Sequence, residues 1–284
     1  TTPIAPEAAA ALRPWIEDKP GDPHSPHRPG REAGAAGGVA RDHVLETLHE
    51  FGGGEAPAGK LFFTSGATEA ANWALKGAAA RLPEGRRRIV AQATEHACVL
   101  DTLEWLAGRG FEVEVLPVGG DGLVDAGLAA ERIDGRTGLV AIMLVNNEIG
   151  VVQPVGEIGR LARAAGALFF CDAVQGFGRV ELPLSACDMV ALSAHKVHGP
   201  KGIGALWLRD GVAPEPLLHG GGQEGGIRSG TLSPALCVGF GEAARLLGAD
   251  HGHGEGLWHI ARDLMRDWTL NGSAQAATMR PKPS

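Results

Sequence analysis

Short apolar runs alternate with helical patterns over most of this chain, and that alternation constrains the possible folds more than any other feature. Seven runs have the length and composition of buried strands. They lie at residues 60–64, 89–93, 112–116, 139–145, 168–171, 189–193 and 204–208. Near-continuous apolar strands separated by helices are typical of parallel sheets covered on both faces. The sequence therefore predicts an α/β fold with a mostly parallel seven-stranded sheet.

Helical periodicity fills several intervals between these runs, and it also occupies both ends of the chain. The predicted helices lie at residues 31–48, 67–80, 99–109, 125–133, 155–165, 234–248 and 256–270. Turn-forming Pro, His and Gly dominate the N-terminal segment before its helix. We predict a large domain at 1–250, which includes an N-terminal segment at 1–53, and the start of a truncated small domain with a tail at 251–284.

The charge balance bears on the class of partner. The chain has 26 Lys and Arg against 33 Asp and Glu, a net charge of −7. An acidic chain without a basic stripe argues against nucleic acid and against anionic membranes as partners. The one basic cluster, Arg86-Arg87-Arg88, precedes an apolar run and is interpreted as the solvated start of a strand.

Cysteine usage and hydropathy bear on the compartment. The four cysteines are widely spaced and form no CxxC pair, which predicts reduced core thiols and no zinc site. No apolar run reaches the length of a membrane span, and the N-terminus shows no signal-peptide pattern. We therefore expect a cytoplasmic protein with no membrane partner.

Polar residues follow five of the predicted strands, at the edge where parallel α/β sheets bind ligands. Ser65, Gly66 and Thr68 follow the first strand and lead directly into a helix. Free N–H groups and hydroxyls at such a helix start form either an anion site or an ordinary N-cap. His96 follows the second strand, and the pair Asn146-Asn147 follows the fourth.

The last two of these strand ends carry charged groups. Asp172 ends a buried strand, and such a carboxylate is costly unless a cation or donors compensate it. It is interpreted either as a helix cap or as the partner of a protonated ring nitrogen. Ser193, His195 and Lys196 follow the next strand. A phosphate site, an aspartate and a lysine at one sheet edge together match the needs of pyridoxal 5'-phosphate (PLP).

Longer stretches carry a family resemblance. They read TTPIAPEA, GDPHSPHRPGREA, TSGATEAANWALKG, ATEHACVLDT, VNNEIGVVQPV, CDAVQ, SAHKVHGPKGIGALW and LLHGGGQEGGIRSGTLSPALCVGFGEAAR, and they extend from residue 1 to about 248. In order and spacing, the sequence closely resembles the cysteine desulfurases of the NifS/IscS type, within the class V aminotransferase family. The resemblance implies a PLP-dependent transferase of fold type I.

The resemblance also implies roles for individual residues. Lys196 corresponds to the lysine that holds PLP covalently, and His96 to the histidine that stacks on the ring and can move protons. Asp172 would pair with the ring nitrogen. The implied catalytic residues are Lys196 and His96. The implied cofactor-binding residues are Ala67, Thr68, His96, Asn147, Asp172, Gln175, Ser193, His195, Lys196 and Thr231.

These cofactor residues divide by what they would contact. Gln175 and Asn147 would lie near the ring hydroxyl and the substrate. The phosphate would be held by the hydroxyl of Thr68, by Ser193 and His195, and by the backbone at 67–68. Thr231 resembles a threonine that reaches the phosphate of a partner subunit, which implies a homodimer.

The resemblance implies conversion of L-cysteine to L-alanine and an enzyme-bound persulfide. The sulfur would pass to an acceptor protein, either an iron–sulfur cluster scaffold or a tRNA-thiolation relay. The persulfide cysteine on a Ser/Gly-rich loop and the arginine for the substrate carboxylate have no counterpart in the sequence, so we expect impaired turnover. Other PLP chemistry, either β-elimination or transamination, and a non-catalytic PLP-binding remnant stay open.

Three further features lie near the implied site. Cys98 is a candidate substitute nucleophile, although a small buried thiol on a first helical turn is the favoured interpretation. Lys201 is expected to place a positive charge near the cofactor. The glycine-rich stretch 220–226 is predicted to be a flexible active-site or dimer loop.

Overall fold

The structure is a computed structural model of the 284-residue chain, and it describes residues 1–54, 56–247 and 253–266. The strands are β1 Gly59–Thr64, β2 Arg88–Gln92, β3 Glu112–Leu116, β4 Thr137–Ala141, β5 Leu168–Asp172, β6 Met189–Ser193 and β7 Gly204–Arg209. The helices are α1 Pro6–Leu12, α2 Pro14–Glu17, α3 Arg28–Glu50, α4 Ala67–Ala79, α5 Ala97–Ala107, α6 Ala126–Arg132, α7 Val155–Ala164, α8 Pro234–Arg245 and α9 His253–Leu264.

The seven strands form one sheet in the order β1-β7-β6-β5-β4-β2-β3. Strands β2 to β6 pair in parallel with their neighbours. Strand β7 is antiparallel to both β1 and β6. The predicted α/β fold with a mostly parallel seven-stranded sheet is therefore confirmed.

Each face of the sheet is covered by its own apolar layer. In β7, Trp207 belongs to the cluster formed with α3, α7 and α8, whereas Leu206 belongs to the cluster formed with α4 and α5. Successive side chains of a strand point to opposite faces, so a run that is apolar at every position is buried on both sides. All five residues of β6 are buried for this reason.

The fourth strand is shorter than the predicted 139–145. It ends at Ala141, and the chain then continues beside β5 through N–H bonds from Ile142 to the Phe170 carbonyl and from Leu144 to the Asp172 carbonyl. Met143 between them donates its N–H to the side-chain carboxyl group of Glu95 instead of to a strand. The side chain of Glu95 thus ends the hydrogen-bonded pairing of β4 on one side. The apolar pattern of the sequence cannot reveal such an interruption.

Helix boundaries differ from the predicted ones where proline and caps act. Helix α3 starts at Arg28, ahead of the predicted 31, because Pro29 suits the first helical turn and His27 caps it. Helices α1 and α2 precede the predicted turns at 20–30, in a stretch for which the sequence predicted no helix. Helices α8 and α9 confirm the two C-terminal helical patterns, although the predicted ends at 248 and 270 lie outside the described residues.

The basic cluster at 86–88 is not a solvated strand start. Arg88 is only 7% exposed, and its guanidinium pairs with Glu112, Glu114 and Asp134. Arg86 donates to the Thr137 carbonyl oxygen. The prediction was wrong because residues distant in sequence supply the carboxylates that make this burial tolerable.

Membrane-spanning helices and metal sites were not expected, and they can be examined only in the residues that the structure describes. No described helix is long and apolar enough to cross a membrane. No group of three or more potential metal ligands was found in 1–54, 56–247 and 253–266. All four cysteines are buried and free.

Candidate active site

A cavity of about 470 Å³ opens at the carboxyl edge of the sheet. Nine of the ten predicted cofactor residues line it, and Thr231 is the exception. The nine are Ala67, Thr68, His96, Asn147, Asp172, Gln175, Ser193, His195 and Lys196. Lys201, Cys98 and Glu69 also line this cavity. The fold thus brings together residues that are far apart in the sequence, such as Ala67 and Lys201.

The N-terminus of α4 opens onto the cavity. Gly66 caps the helix without a side-chain hydrogen bond, so the first-turn N–H groups have no acceptor within the helix. A Cβ atom on Gly204 would lie 2.8 Å from the Cα atom of Gly66, so only glycine lets β7 begin this close to the turn. Unbonded N–H groups at a helix start attract anions such as phosphate.

An ion pair fixes this turn. Glu69 accepts the Ser65 N–H at 2.7 Å and pairs with Arg228 at 2.7 Å. Burial alone would raise the pKa of Glu69, but the hydrogen bonds from Arg228 and Ser65 outweigh it and lower the pKa. The carboxylate is therefore ionised at neutral pH and ties the loop that carries Arg228 to the start of α4.

His96 caps helix α5 and faces the cavity. Its Nδ1 atom accepts the N–H of Cys98 at 3.1 Å. A neutral imidazole that accepts at Nδ1 carries its proton at Nε2. Capping thus fixes both the ring position and the tautomer.

Asp172 is 5% exposed at the end of β5. One carboxylate oxygen, Oδ1, accepts the N–H of Val174 at 3.0 Å, and the residue also lines the cavity. Burial raises the pKa of Asp172, while the Val174 N–H, His96 and Lys196 act in the opposite direction. Both sequence interpretations thus have support, since one oxygen caps a turn and a buried acceptor remains for a cationic group.

Lys196 lies in a short 3₁₀ turn directly after β6. The N-terminal segment holds this turn, because Thr2 donates its N–H to the His195 carbonyl oxygen at 2.9 Å. Thr1 Oγ1 and His195 Nδ1 form a hydrogen bond of 2.9 Å. Burial and the neighbouring Lys196 lower the pKa of His195. The sequence alone did not reveal that residues 1 and 2 position the lysine loop.

Arg179 also supports the lysine loop, and sequence reasoning missed it. Its guanidinium donates to the backbone carbonyl oxygen of Lys196 and, at 3.1 Å, to that of Gln175. None of the ion pairs found among the described residues includes Arg179, and burial lowers its pKa. The only sign of this role in the sequence is that Arg179 follows Gln175 by four residues, a spacing at which a side chain can reach the backbone one turn earlier.

The two asparagines after β4 have different roles. Asn146 is buried, donates to the Thr94 carbonyl oxygen at 2.9 Å and accepts the N–H groups of Glu148 and Ile149. Asn147 is exposed toward the cavity. Asn146 therefore shapes the loop, and Asn147 is the one available to a ligand.

Cys98 lines the cavity but is a poor nucleophile. Burial, followed by the neighbouring carboxyl groups of Asp172 and Glu95, raises the pKa of its thiol to about 12. The thiolate is the reactive form of cysteine, so Cys98 is almost entirely unreactive at neutral pH. The geometry favours the buried-thiol interpretation.

Thr231 is exposed and lies outside the cavity, after the glycine-rich loop. That loop has a buried anchor, because Glu224 pairs with Arg41 at 2.7 Å and accepts the Phe63 N–H at 3.0 Å. Gln223 accepts the N–H of Gly230 at 2.9 Å. These contacts anchor the glycine-rich loop, which the sequence predicted to be flexible. The sequence pattern could not show them because their partners are distant in the sequence.

A lysine, a buried aspartate and an open helix N-terminus lie at one sheet edge of this α/β protein and form a candidate site for an anionic ligand. Comparison with known families makes this specific: residues 1–265 match the model of the family described as aminotransferase class-V. The chain belongs to that family.

Individual relatives narrow the comparison. The chain is 43% identical over 251 residues to the cysteine desulfurase IscS of Rickettsia bellii (strain OSU 85-389). This alignment covers 87% of this chain and 60% of the relative. The chain thus spans less than two thirds of that relative's length. Among solved structures, DndA from Streptomyces lividans matches with a TM-score of 0.84 and 35% identity, over 98% of this chain and 80% of its own. SspA in complex with cysteine matches with a TM-score of 0.82 and 36% identity, over 92% and 76%.

The described residues fit PLP, the cofactor of this family. The cofactor needs an anion site, an acceptor for its ring nitrogen and an amine. The cavity supplies the unbonded N–H groups of α4, the buried carboxylate of Asp172 and the Nζ atom of Lys196.

Proposed function

We propose that this chain is the cofactor-binding part of a PLP-dependent cysteine desulfurase that acts on L-cysteine. The observation that carries the proposal is that Lys196 and Asp172 line one cavity with the open N-terminus of α4. The relatives named above, and the structural neighbour solved with cysteine, support the choice of substrate.

The cofactor, when bound, supplies an electron sink for negative charge at the α-carbon of an amino acid. Asp172 would hold a proton on the ring nitrogen through a carboxylate oxygen, which keeps that sink effective. The backbone N–H groups at 67–69, with Thr68, Ser193 and His195, would bind the phosphate. Lys196 would attach the cofactor, and both its amine and the Nε2 atom of His96 are placed to carry protons at the cavity.

Sulfur transfer requires a second nucleophile. All four cysteines of this chain are buried, and the thiol of Cys98, which lines the cavity, is un-ionised at neutral pH. We therefore propose that this chain binds L-cysteine but forms little persulfide by itself. In the whole protein, the products would be L-alanine and a persulfide whose sulfur passes to an iron–sulfur scaffold or a thiolation relay.

We propose further that the functional unit is a homodimer. Thr231 is exposed outside its own cavity, on a loop that Glu224 anchors to Arg41. A residue so placed is available to the phosphate site of a second copy. The molar mass in solution, measured by light scattering, tests this part separately, and a monomer at all concentrations would contradict it.

Titration with PLP tests the cofactor assignment. Wild type should develop the visible absorbance of covalently bound cofactor, and Lys196→Ala should not. Lys201→Ala is the matched control, because Lys201 lines the same cavity. We expect this variant to bind more weakly but to keep the band. Loss of the band in Lys201→Ala alone, or identical spectra in wild type and Lys196→Ala, would reject the assignment.

Addition of amino acids to the loaded protein separates the candidate functions. We expect L-cysteine to change the bound-cofactor spectrum, with sulfide release near background even in the presence of a reductant. Pyruvate released together with sulfide and ammonia would indicate β-elimination, whereas a 2-oxo acid that keeps the side chain of the added amino acid, without sulfide, would indicate transamination. No spectral response to any amino acid would indicate a non-catalytic PLP-binding protein.

A further inference from the structure

Glu95 is a buried carboxyl group to which the proposed function gives no role. It lies between β2 and α5 and is only 6% exposed. Its Oε1 atom accepts the N–H of Met143 at 2.5 Å, and its Oε2 atom has no hydrogen-bond partner. No cation pairs with it among the ion pairs of the described residues. An unpaired buried carboxylate is among the most costly groups that a fold can contain.

The atoms around Glu95 are also unsatisfied. Both the nitrogen and the oxygen of the Gln92 amide are buried without a partner of normal geometry, as is the hydroxyl of Thr94. Gln92 lies close enough to act on Glu95, and a hydrogen bond from its amide nitrogen would lower the pKa of that carboxyl group, against the larger effect of burial. A protonated Oε2 would be a donor, and the Gln92 carbonyl oxygen is an unused acceptor. A proton on Glu95 would thus give Oε2 a hydrogen to donate to an acceptor such as this oxygen.

The charges around Glu95 favour that proton as well. Its pKa is raised well above the ordinary range by burial and, second, by the negative charge of Asp172. The other titratable groups that interact with it are the thiols of Cys98 and Cys171, neither of which is a cation. Asp172, in contrast, lies near His96 and Lys196, and both of these residues lower its pKa. Of two neighbouring carboxyl groups that share one site, the group without a cation keeps the proton.

We propose that Glu95 is a neutral carboxylic acid in the folded protein and a positioning residue for Asp172. It holds the chain after β4 through Met143 and adds no second negative charge beside Asp172. The part that concerns Asp172 and the cofactor ring rests on the proposed function. The part that concerns the proton on Glu95 does not.

Unfolding without cofactor tests the proton. Glu95→Gln keeps the shape and the acceptor for Met143 but has no proton to lose. A carboxyl group whose pKa is higher in the folded than in the unfolded state stabilises the fold below its unfolded pKa, and that contribution is lost as the pH rises. The unfolding constant of wild type relative to Glu95→Gln should therefore rise between pH 5 and 8, by up to about tenfold per pH unit. A ratio that stays constant over this range would overturn the proposal.

Two controls make this result specific. Glu148→Gln changes an exposed glutamate that follows Asn147 at the cavity. The unfolding constant of wild type relative to Glu148→Gln should stay constant between pH 5 and 8. The same comparison can be made in proteins that carry Asp172→Asn. There, the unfolding constant of the protein with Glu95, relative to that with Glu95→Gln, should rise over a narrower pH range, because the repulsion that keeps the proton on Glu95 is gone. Equal pH ranges in both backgrounds would overturn the coupling to Asp172.

Infrared spectroscopy of wild type keeps the proposal testable if Glu95→Gln folds poorly. The C=O stretch of an un-ionised carboxylic acid should persist in wild type from pH 5 to 8. Disappearance of that signal together with those of the surface carboxyl groups, as the pH rises to about 5, would overturn the proposal.

PLP binding tests the positioning role. Glu95→Gln should bind PLP within about twofold of wild type, because it leaves the charge unchanged, whereas Asp172→Asn should bind about tenfold more weakly, a loss of about 1.4 kcal/mol. Weakening by more than about tenfold in Glu95→Gln would show that Glu95 is charged and would overturn the proposal. If wild type binds no PLP, the proposed function fails, and the unfolding experiment still decides the state of Glu95.

Discussion

The guanidinium of Arg179 donates a hydrogen bond to the backbone carbonyl oxygen of Lys196, although none of the described ion pairs compensates the charge of Arg179. The same group also donates to the carbonyl oxygen of Gln175 at 3.1 Å. Arg179 thus connects two residues that line the cavity on separate loops. A half-buried arginine used in this way positions the backbone, because hydrogen bonds from a charged donor are stronger than neutral ones.

Replacing Arg179 should loosen the lysine loop. We expect Arg179→Met to weaken PLP binding by about tenfold, equivalent to about 1.4 kcal/mol, because two charge-assisted hydrogen bonds are lost. Arg179→Lys should recover part of the affinity, since one donor remains. Fluorescence titration with PLP gives both dissociation constants. Equal affinity in wild type and Arg179→Met would show that the contact does not position Lys196.

Cys98 should resist alkylation in the folded protein. Burial raises the pKa of its thiol to about 12, so iodoacetamide at pH 7.5 should label it only after unfolding. Cys98→Ala should leave the PLP absorbance band unchanged. Peptide mass spectrometry reports the labelling. Rapid modification of Cys98 in the native protein would reopen its role as a nucleophile.

The Arg41–Glu224 pair should contribute strongly to stability. Glu224→Ala leaves the Arg41 guanidinium and the Phe63 N–H without their acceptor, and we expect a loss of about 3–5 kcal/mol in the free energy of unfolding. Urea unfolding measures it. The exposed Arg245–Glu242 pair is the control, and Glu242→Ala should change little. Similar effects for the two variants would contradict a special role for the buried pair.

The Glu69–Arg228 pair should make the free energy of unfolding decrease as the pH falls into the acidic range. Burial alone would raise the pKa of Glu69, but Arg228 and Ser65 lower it below the ordinary value of about 4.3. A lowered folded-state pKa gives stability that is present above the unfolded pKa and is lost as the pH falls through the folded one. Wild type should therefore lose more stability than Glu69→Gln when unfolding is measured stepwise from pH 5 to pH 3. Parallel curves would contradict the ion pair.

Much of the fold was predictable because the sheet is buried on both faces. Seven apolar runs of strand length predicted seven strands, and the shared carboxyl edge of the parallel strands required only the general behaviour of α/β sheets. The order of the strands and the antiparallel direction of β7 were not predicted. The error at the fourth strand shows the limit of this reasoning. Residues 142–145 are as apolar as the strand before them, and only the donation from Met143 to Glu95 ends their pairing on one side.

The candidate site was predictable where a residue type and a strand end coincide. Asp172, His96 and Lys196 each follow an apolar run, and the structure places all three at one cavity. Arg179 and Glu95 were not found, because their roles depend on backbone atoms of distant residues. No periodicity in the sequence shows which carbonyl oxygen a guanidinium reaches, or which buried carboxyl group lacks a cation.

Reduction of the PLP-loaded protein with borohydride, followed by peptide mapping, tests the central claim most directly. Borohydride converts the covalent link between PLP and a lysine into a stable adduct that mass spectrometry can locate. The proposed function predicts the adduct on Lys196 in wild type and in Lys201→Ala, and no adduct at the site in Lys196→Ala. An adduct on Lys201, or no adduct in a protein that remains folded, would contradict it.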